Sequence, residues 1–88
     1  MDLLLKDKIA LVTGASRGLG YAAASTLARE GCRVAVNSRD ENKIKAAAEK
    51  ISSETGAQVI GLAGDVSDPS MAEKLISRVV EAFGGLDL

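Results

Sequence analysis

Three glycines lie where an apolar run gives way to an alanine-rich helical pattern. They have the spacing Gly-x-x-x-Gly-x-Gly and are Gly14, Gly18 and Gly20. A turn of this kind between a strand and a helix lets main-chain N–H groups and the positive end of the helix dipole face a phosphate. Ser16 adds a hydroxyl donor and Arg17 a cation. The pattern therefore predicts a cradle for the pyrophosphate of a dinucleotide, formed by residues 14–20.

Each glycine has its own expected role in this cradle. At Gly14 we expect a tight turn in which a side chain would obstruct the backbone, and at Gly18 a close approach of the backbone to phosphate. Gly20 is expected to let the helix lie close to the sheet. Leu19, between the last two glycines, is a candidate binding residue as well. The alternative is a plain glycine-rich turn that binds nothing.

Apolar strands alternate with amphipathic helices along the whole chain. The predicted strands are Lys8–Thr13, Arg33–Asn37 and Gln58–Ala63. The predicted helices are Gly18–Glu30, Asp40–Ser53 and a third that has Asp68 as N-cap and Pro69 as first residue, and ends before Gly84-Gly85. This order predicts an α/β fold, the first βαβαβα half of a Rossmann-type doubly wound parallel sheet with helices on both faces. Residues 1–88 are expected to be the N-terminal part of a single dinucleotide-binding domain.

The helical periodicity indicates which residues face the sheet. In the first helix these are Leu19, Ala22 or Ala23, Leu27 and Ala28. In the second helix they are Ile44, Ala47, Ala48 and Ile51. In the third they form a broad stripe of Ala72, Leu75, Ile76, Val79, Val80 and Phe83.

Residues 86–88 resemble the beginning of a fourth strand. In the common strand order 3-2-1-4-5-6 the first strand pairs with the fourth. We therefore expect these 88 residues alone to leave an apolar strand as an open edge, which invites aggregation. The chain is expected to be the front of a longer protein.

Composition narrows the class of protein. The net charge is −1 with acids and bases interspersed, and no basic patch points to nucleic acid as a partner. No apolar run approaches the roughly 20 residues needed to cross a bilayer, which argues against a membrane partner. The first eight residues lack a cationic leader and a cleavage site, so we expect a cytoplasmic protein.

Cys32 is the only cysteine, and the chain has no histidine. One cysteine cannot form an internal disulfide, and a zinc site has almost no ligands to draw on. We expect Cys32 to be a small core residue, with a redox role as the alternative.

The motifs together resemble one enzyme family. Residues 13–20, TGASRGLG, are similar to the Thr-Gly-x-x-x-Gly-x-Gly fingerprint of the classical short-chain dehydrogenase/reductase family. Residues 35–39 resemble its second strand and the loop after it, and residues 64–68 its Asp-Val step after the third strand. Residues 84–88 resemble the lead-in to its fourth strand. The resemblance extends over the chain from Lys6 onward.

The resemblance implies NADP(H) rather than NAD(H) as the cofactor. An acid after the second strand accepts hydrogen bonds from the adenosine ribose and repels a 2′-phosphate. Ser38 occupies the position of that acid in relatives that prefer NAD. Arg39 can make a forked contact to a phosphate, and Arg17 points to the same region in relatives that use NADPH.

Other interpretations of this loop remain open. Ser38 and Glu41 fit a capping box at the next helix. Arg39 fits a solvated surface residue, and Asp40 could reach the ribose after a small shift in register. The resemblance also implies that Asp65 and Val66 bracket the adenine, the carboxylate accepting from its amino group. The alternative for Asp65 is an ordinary turn with a local acceptor.

The family moves hydride between nicotinamide and a carbonyl or alcohol. Its members use a tyrosine as acid/base with a lysine four residues later, assisted by a serine and an asparagine. None of these occurs here in its motif: Tyr21 is the only tyrosine, Ser25 stands four residues beyond it, and packing is the expected role of Tyr21. The catalytic residues are therefore expected outside this chain.

The resemblance implies a carbonyl reductase or alcohol dehydrogenase that acts on a small molecule, most similar to 3-oxoacyl-thioester reductases and related ketoreductases or sugar dehydrogenases. It also implies a dimer or tetramer. One alternative is a non-catalytic NADP(H)-binding sensor or scaffold, which would lack the Tyr-x-x-x-Lys motif. A flavin- or other nucleotide-binding fold is a further alternative, although its glycine spacing would differ.

Overall fold

A computed structural model describes residues 5–88 and confirms the predicted fold class. The strands are β1 (Ile9–Val12), β2 (Arg33–Ser38) and β3 (Val59–Ala63). The helices are α1 (Gly18–Arg29), α2 (Glu41–Thr55) and α3 (Pro69–Phe83). The three predicted strands and the three predicted helices are all present, with their ends within two residues of the prediction. The left-handed glycines Gly56 and Gly84 end α2 and α3.

The three strands form a parallel sheet in the order β1-β2-β3. Ile9 lies opposite Arg33, and Val34 lies opposite Val59. Alternate residues of β2 point to opposite faces of the sheet. Val34 and Val36 pack with residues of α1 and α2, whereas Ala35 packs with Val79 of α3. Helices therefore cover both faces, with α1 and α2 on one and α3 on the other.

The chain after α3 returns to the free side of β1. The N–H of Leu88 donates to the carbonyl oxygen of Ile9 at 3.0 Å, and its own carbonyl accepts from the N–H of Leu11 at 3.1 Å. This is the hydrogen-bond pattern of a parallel pair with Leu88 opposite Ala10. The Asp87 carboxylate also accepts from the N–H of Ile9 at 2.9 Å. Residues 86–88 do not form a strand, so β1 is an edge strand of the three-stranded sheet, as expected, and this segment covers only part of that edge.

The buried face of α2 is the predicted one: Ile44, Ala47, Ala48 and Ile51 are all buried. The prediction for α1 is wrong in part. Its buried residues are Ala24, Ser25 and Ala28, while Ala22 and Ala23 are exposed and Leu19 is 90% exposed. The reason is local geometry. Gly20 lies against the Gly14 carbonyl, and Ala24 and Ala28, four and eight residues later, lie on the same face of the helix and therefore also face the sheet.

The apolar stripe of α3 is broader than its contact with the sheet. Leu75 and Val79 are buried, whereas Ile76 and Val80 are each 44% exposed. A narrow ridge of α3 therefore packs, and an apolar flank stays on the surface.

Cys32 is buried, as expected of a small core residue. Its thiol donates to the carbonyl oxygen of Leu5 at 3.3 Å. Burial raises the pKa of the Cys32 thiol, with a smaller contribution from the nearby Glu30 carboxylate. A raised pKa disfavours the reactive thiolate, so the structure favours a packing role over a redox role.

Within residues 5–88, no helix is long and apolar enough to cross a membrane. In the same range, no group of three or more His, Cys, Asp or Glu side chains is arranged to hold a metal ion.

Candidate functional site

A cleft of about 710 Å³ lies at the carboxyl ends of the three strands. In open α/β sheets, ligands bind in the crevice at this edge. Eight of the ten predicted binding residues line the cleft, and they are Gly14, Ser16, Arg17, Gly18, Ser38, Arg39, Asp65 and Val66. The fold thus brings together residues up to 52 positions apart in the sequence.

The other two predicted residues, Leu19 and Gly20, do not line the cleft. The side chain of Leu19 stands 90% exposed at the start of α1. A Cβ atom added to Gly20 would collide with the Gly14 carbonyl group and lie 3.1 Å from the Cα of Ala15. Gly20 therefore permits close packing of the helix on the strand, as the sequence predicted.

Gly14 and Gly18 both have left-handed backbones, with φ of 61° and 66°. No atom lies within 4 Å of a Cβ built at either position. The expectation that a side chain at Gly14 would obstruct the backbone is therefore wrong. Glycine is favoured there because L-residues with side chains rarely adopt this φ. The open space leaves the main chain of the cradle accessible to a ligand.

The N-terminus of α1 differs from those of the other two helices. Asp40 caps α2 and Asp68 caps α3, each by accepting from a main-chain N–H of the first turn. At α1 the N-cap is Arg17 in extended conformation, with no side-chain cap and no acid in the first turn. The first main-chain N–H groups of α1 therefore have no side-chain acceptor in the described part of the chain. A bound anion could accept hydrogen bonds from them.

The loop after β2 has a definite arrangement of hydrogen bonds. The Ser38 hydroxyl donates to the Asp40 carbonyl at 3.2 Å, and the Asp40 carboxylate accepts from the Lys43 N–H at 3.0 Å. The alternative of a capping box between Ser38 and Glu41 is wrong, because Asp40 is the cap. Asp40 also lines the cleft, but the hydrogen bond from the Lys43 N–H holds its carboxylate at the N-terminus of α2.

Asp65 forms a local turn and also faces the cleft. Its Oδ1 accepts from the N–H of Ser67 at 2.9 Å and from the Ser67 hydroxyl at 2.7 Å. These two bonds, the hydroxyl first, hold the pKa of the Asp65 carboxyl below its ordinary value, and the positive charge of Arg39 adds to the effect. The side chain is therefore a carboxylate at neutral pH. The neighbouring Val66 is 42% exposed in the same cleft.

The structure adds residues that the motifs did not identify. Asn37, Lys43, Gly64 and Ser67 also line the cleft. Lys43, in the first turn of α2, is a third basic residue in the cleft beside Arg17 and Arg39. The sequence signal for Asn37 was a polar residue directly after the apolar residues 34–36.

Tyr21 packs against the core, as expected, and does not line the cleft. The ammonium group of Lys50 on α2 lies 5.8 Å from the centre of its ring. The buried hydroxyl of Tyr21 has no hydrogen-bond partner among the described residues. Its position and partners are those of a packing residue.

The profile of the short chain dehydrogenases matches residues 8–88. The chain belongs to the short-chain dehydrogenase family. It is 40% identical to L-rhamnose 1-dehydrogenase (NAD(P)(+)) of Azotobacter vinelandii, over 98% of this chain and 35% of that protein. It is 43% identical to 3-oxoacyl-[acyl-carrier-protein] reductase of Escherichia coli, over 94% of this chain and 32% of that protein.

Solved structures of this family share the fold. L-sorbose reductase from Gluconobacter frateurii, complexed with NADPH and L-sorbose, superposes with a TM-score of 0.93 at 32% identity. The match covers 99% of this chain and 33% of that one. This short-chain dehydrogenase chain thus spans about a third of the length of the relatives it matches.

Proposed function

We propose that the intact protein containing this chain is an oxidoreductase that uses NADP(H) in preference to NAD(H). We further propose that it reduces a small-molecule carbonyl compound or oxidises the corresponding alcohol. The observation that carries the proposal is the cleft at the strand ends, which joins an uncapped helix N-terminus to two arginines.

The cradle suits a pyrophosphate. Negative charge at the N-terminus of α1 is favoured by the helix dipole and by N–H groups that lack a side-chain cap. Gly14 and Gly18 leave the approach to these groups open. Ser16 supplies a hydroxyl at the same loop.

The ribose end of the cleft suits a 2′-phosphate. Ser38 leaves the end of β2 without the acid that would repel a phosphate, and Arg39 follows it directly. Arg17 and Lys43 line the same cleft and increase its positive charge. The Asp40 carboxylate opposes this charge, but its bond to the Lys43 N–H favours a capping role.

The end of β3 suits the adenine. The Asp65 carboxylate is ionised and exposed, so it can accept from an exocyclic amino group. Beside it, the exposed side chain of Val66 offers an apolar surface for the adenine ring. The Ser67 bonds to Oδ1 hold this carboxylate in one orientation.

The bound cofactor would supply the hydride, and this chain would hold its adenosine and pyrophosphate parts. No residue of the chain is assigned a catalytic role. The carbonyl class is supported by the relatives, which are named as reductases or dehydrogenases of sugars and acyl thioesters.

The first experiment titrates the intact protein with NADPH and NADH separately, following nicotinamide fluorescence, and then adds a panel of ketones. We expect tighter binding of NADPH, and its oxidation when a suitable ketone is added. Gly18→Asp is the companion variant. It places a carboxylate in the cradle, where nothing lies within 4 Å of the added Cβ but the φ of 66° disfavours a side chain, and it should abolish binding of both dinucleotides.

Each other outcome has a defined meaning. Preference for NADH would contradict the roles of Arg17 and Arg39 and would indicate that Asp40 reaches the ribose. Binding of NADPH without turnover would leave two interpretations, a substrate outside the panel or the non-catalytic sensor. Absence of binding to either dinucleotide would refute the proposed function.

A further inference from the structure

Asn37 is a buried polar residue in the central strand of the sheet. It lies opposite Leu62 of β3 and is 1% exposed. It follows three apolar residues, 34–36. Burying an amide costs free energy unless its polar groups find hydrogen-bond partners. The partners of Asn37 therefore indicate why an amide stands at this position.

The side-chain amide joins the ends of β2 and β3. Its Nδ2 donates to the carbonyl oxygen of Leu62 at 2.9 Å and to that of Gly64 at 3.2 Å, and more distantly to that of the adjacent Ser38 at 3.5 Å. The Leu62 and Gly64 carbonyls flank Ala63, the last residue of β3, after which the chain continues into Asp65. One amide thus holds the chain on both sides of the point where β3 ends.

The main chain of Asn37 holds the cradle at the same edge. Its carbonyl oxygen accepts from the N–H of Ala15 at 2.9 Å, between Gly14 and Ser16. Ala15 is completely buried, so this segment has a fixed place in the core. Asn37 therefore contacts both neighbouring segments of the cleft, the cradle through its main chain and the end of β3 through its side chain.

We propose that Asn37 is a positioning residue of the cofactor site. Its amide sets where Asp65 and Val66 lie relative to Ser38 and Arg39, and so aligns the adenine with the phosphorylated ribose. This rests on the proposed function, since it concerns the same cleft. At 1% exposure Asn37 offers almost no surface for direct contact with the cofactor. The N–H of Gly64 also donates to the carbonyl oxygen of Ser38 at 2.9 Å, so loss of the Asn37 donors should loosen the end of β3 without detaching it and leave the cradle in place.

The test replaces Asn37 in the intact protein and measures recognition of adenine. Asn37→Asp keeps the size of the side chain but turns an acceptor toward the two carbonyls. Dissociation constants are measured by calorimetry for NADP⁺ and for its hypoxanthine analogue, which has an oxygen in place of the adenine amino group. The unmodified protein should favour NADP⁺ by about fivefold, which corresponds to one hydrogen bond. In Asn37→Asp this ratio should approach one, and NADP⁺ should bind more weakly.

Two further variants separate positioning from folding. Ser52→Ala removes a side-chain-to-carbonyl bond of similar length, from Ser52 Oγ to Ala57 at 2.9 Å, near the opposite end of β3. It should lower the melting temperature and leave the ratio unchanged. Asn37→Ser keeps one small donor and should give an intermediate ratio, which preserves the test if Asn37→Asp does not fold.

An unchanged ratio in the folded Asn37 variants would overturn the proposal and leave Asn37 with a structural role only. Equal binding of NADP⁺ and the analogue by the unmodified protein would overturn the role of Asp65, and with it the role of Asn37. Failure of the unmodified protein to bind either ligand would instead refute the proposed function.

Discussion

Arg39 is exposed at the end of β2, where Ser38 stands in place of an acid. Arg39 lines the same cleft as Asp65, and its positive charge contributes to lowering the pKa of the Asp65 carboxyl. A guanidinium group can donate two parallel hydrogen bonds to a phosphate. The predicted preference for NADP(H) therefore depends strongly on this one side chain.

We predict that Arg39→Ala weakens binding of NADPH by tenfold or more and changes binding of NADH by less than about twofold. The loss falls on NADPH because only its 2′-phosphate would receive the charge-assisted hydrogen bonds. Fluorescence titration of the intact protein with each dinucleotide measures both constants. Arg78→Ala, which removes an exposed arginine of α3 outside the cleft, is the matched control. Equal losses for NADPH and NADH would contradict this role of Arg39.

At the scale of the elements, the three helix N-termini differ in how they are capped. Those of α2 and α3 are closed by Asp40 and Asp68, which accept from main-chain N–H groups. That of α1 has neither a cap nor an acid, which lowers its own stability and leaves its dipole available. The helix at the cleft is therefore the one that an anionic ligand would stabilise most.

The Asp68 cap predicts a pH dependence of stability. The hydroxyl and then the N–H of Ser70 hold the pKa of the Asp68 carboxyl below its ordinary value of 3.8. A lowered folded-state pKa contributes stability that is complete above the ordinary value and is lost as the pH falls through the folded value. Urea unfolding of the intact protein should therefore show a loss of stability on acidification to which Asp68 contributes.

Asp68→Asn tests this directly, because an asparagine can cap the helix and does not titrate. The variant should be less stable than the unmodified protein at neutral pH, and the difference should shrink in acid. A difference that is independent of pH would show that ionisation of Asp68 does not contribute to stability.

At the scale of the whole molecule, the two faces of the sheet are covered unequally. The core between α1, α2 and the sheet includes nine buried residues, whereas the cluster beneath α3 includes three. Leu19, Val66, Ile76, Val80 and Leu88 are exposed large apolar residues. Of these, Ile76 and Val80 share α3, and adjacent exposed apolar residues favour association.

We predict that a polypeptide of residues 1–88, expressed alone, self-associates. Ile76 and Val80 lie one helical turn apart on α3, so they form a continuous apolar surface. Sedimentation velocity at several concentrations measures the association. Changing both residues to serine should reduce it, whereas Ala82→Ser on the exposed surface of the same helix should not. A soluble monomer with sharp, concentration-independent two-state unfolding would contradict the prediction.

The sequence by itself determined the elements, the fold class and the family. Strand and helix periodicities, the cap at Asp68 with Pro69 and the glycine spacing are local patterns, and each acts within a few residues of its position. The eight cleft residues also followed from local motifs, because parallel strands place their following loops at the same edge of the sheet. The proposed cofactor, its NADP preference, a cytoplasmic location and an oligomeric state stay predictions.

Only the tertiary structure decided how those elements meet. The contact between Gly20 and the Gly14 carbonyl selected the buried face of α1, and Asp40 rather than Ser38 became the cap of α2. Two of the bonds from the Asn37 amide connect β2 to the end of β3 over 25 and 27 residues of sequence. Such choices depend on the distances between segments that are far apart in the chain, and no local pattern of residue types encodes those distances.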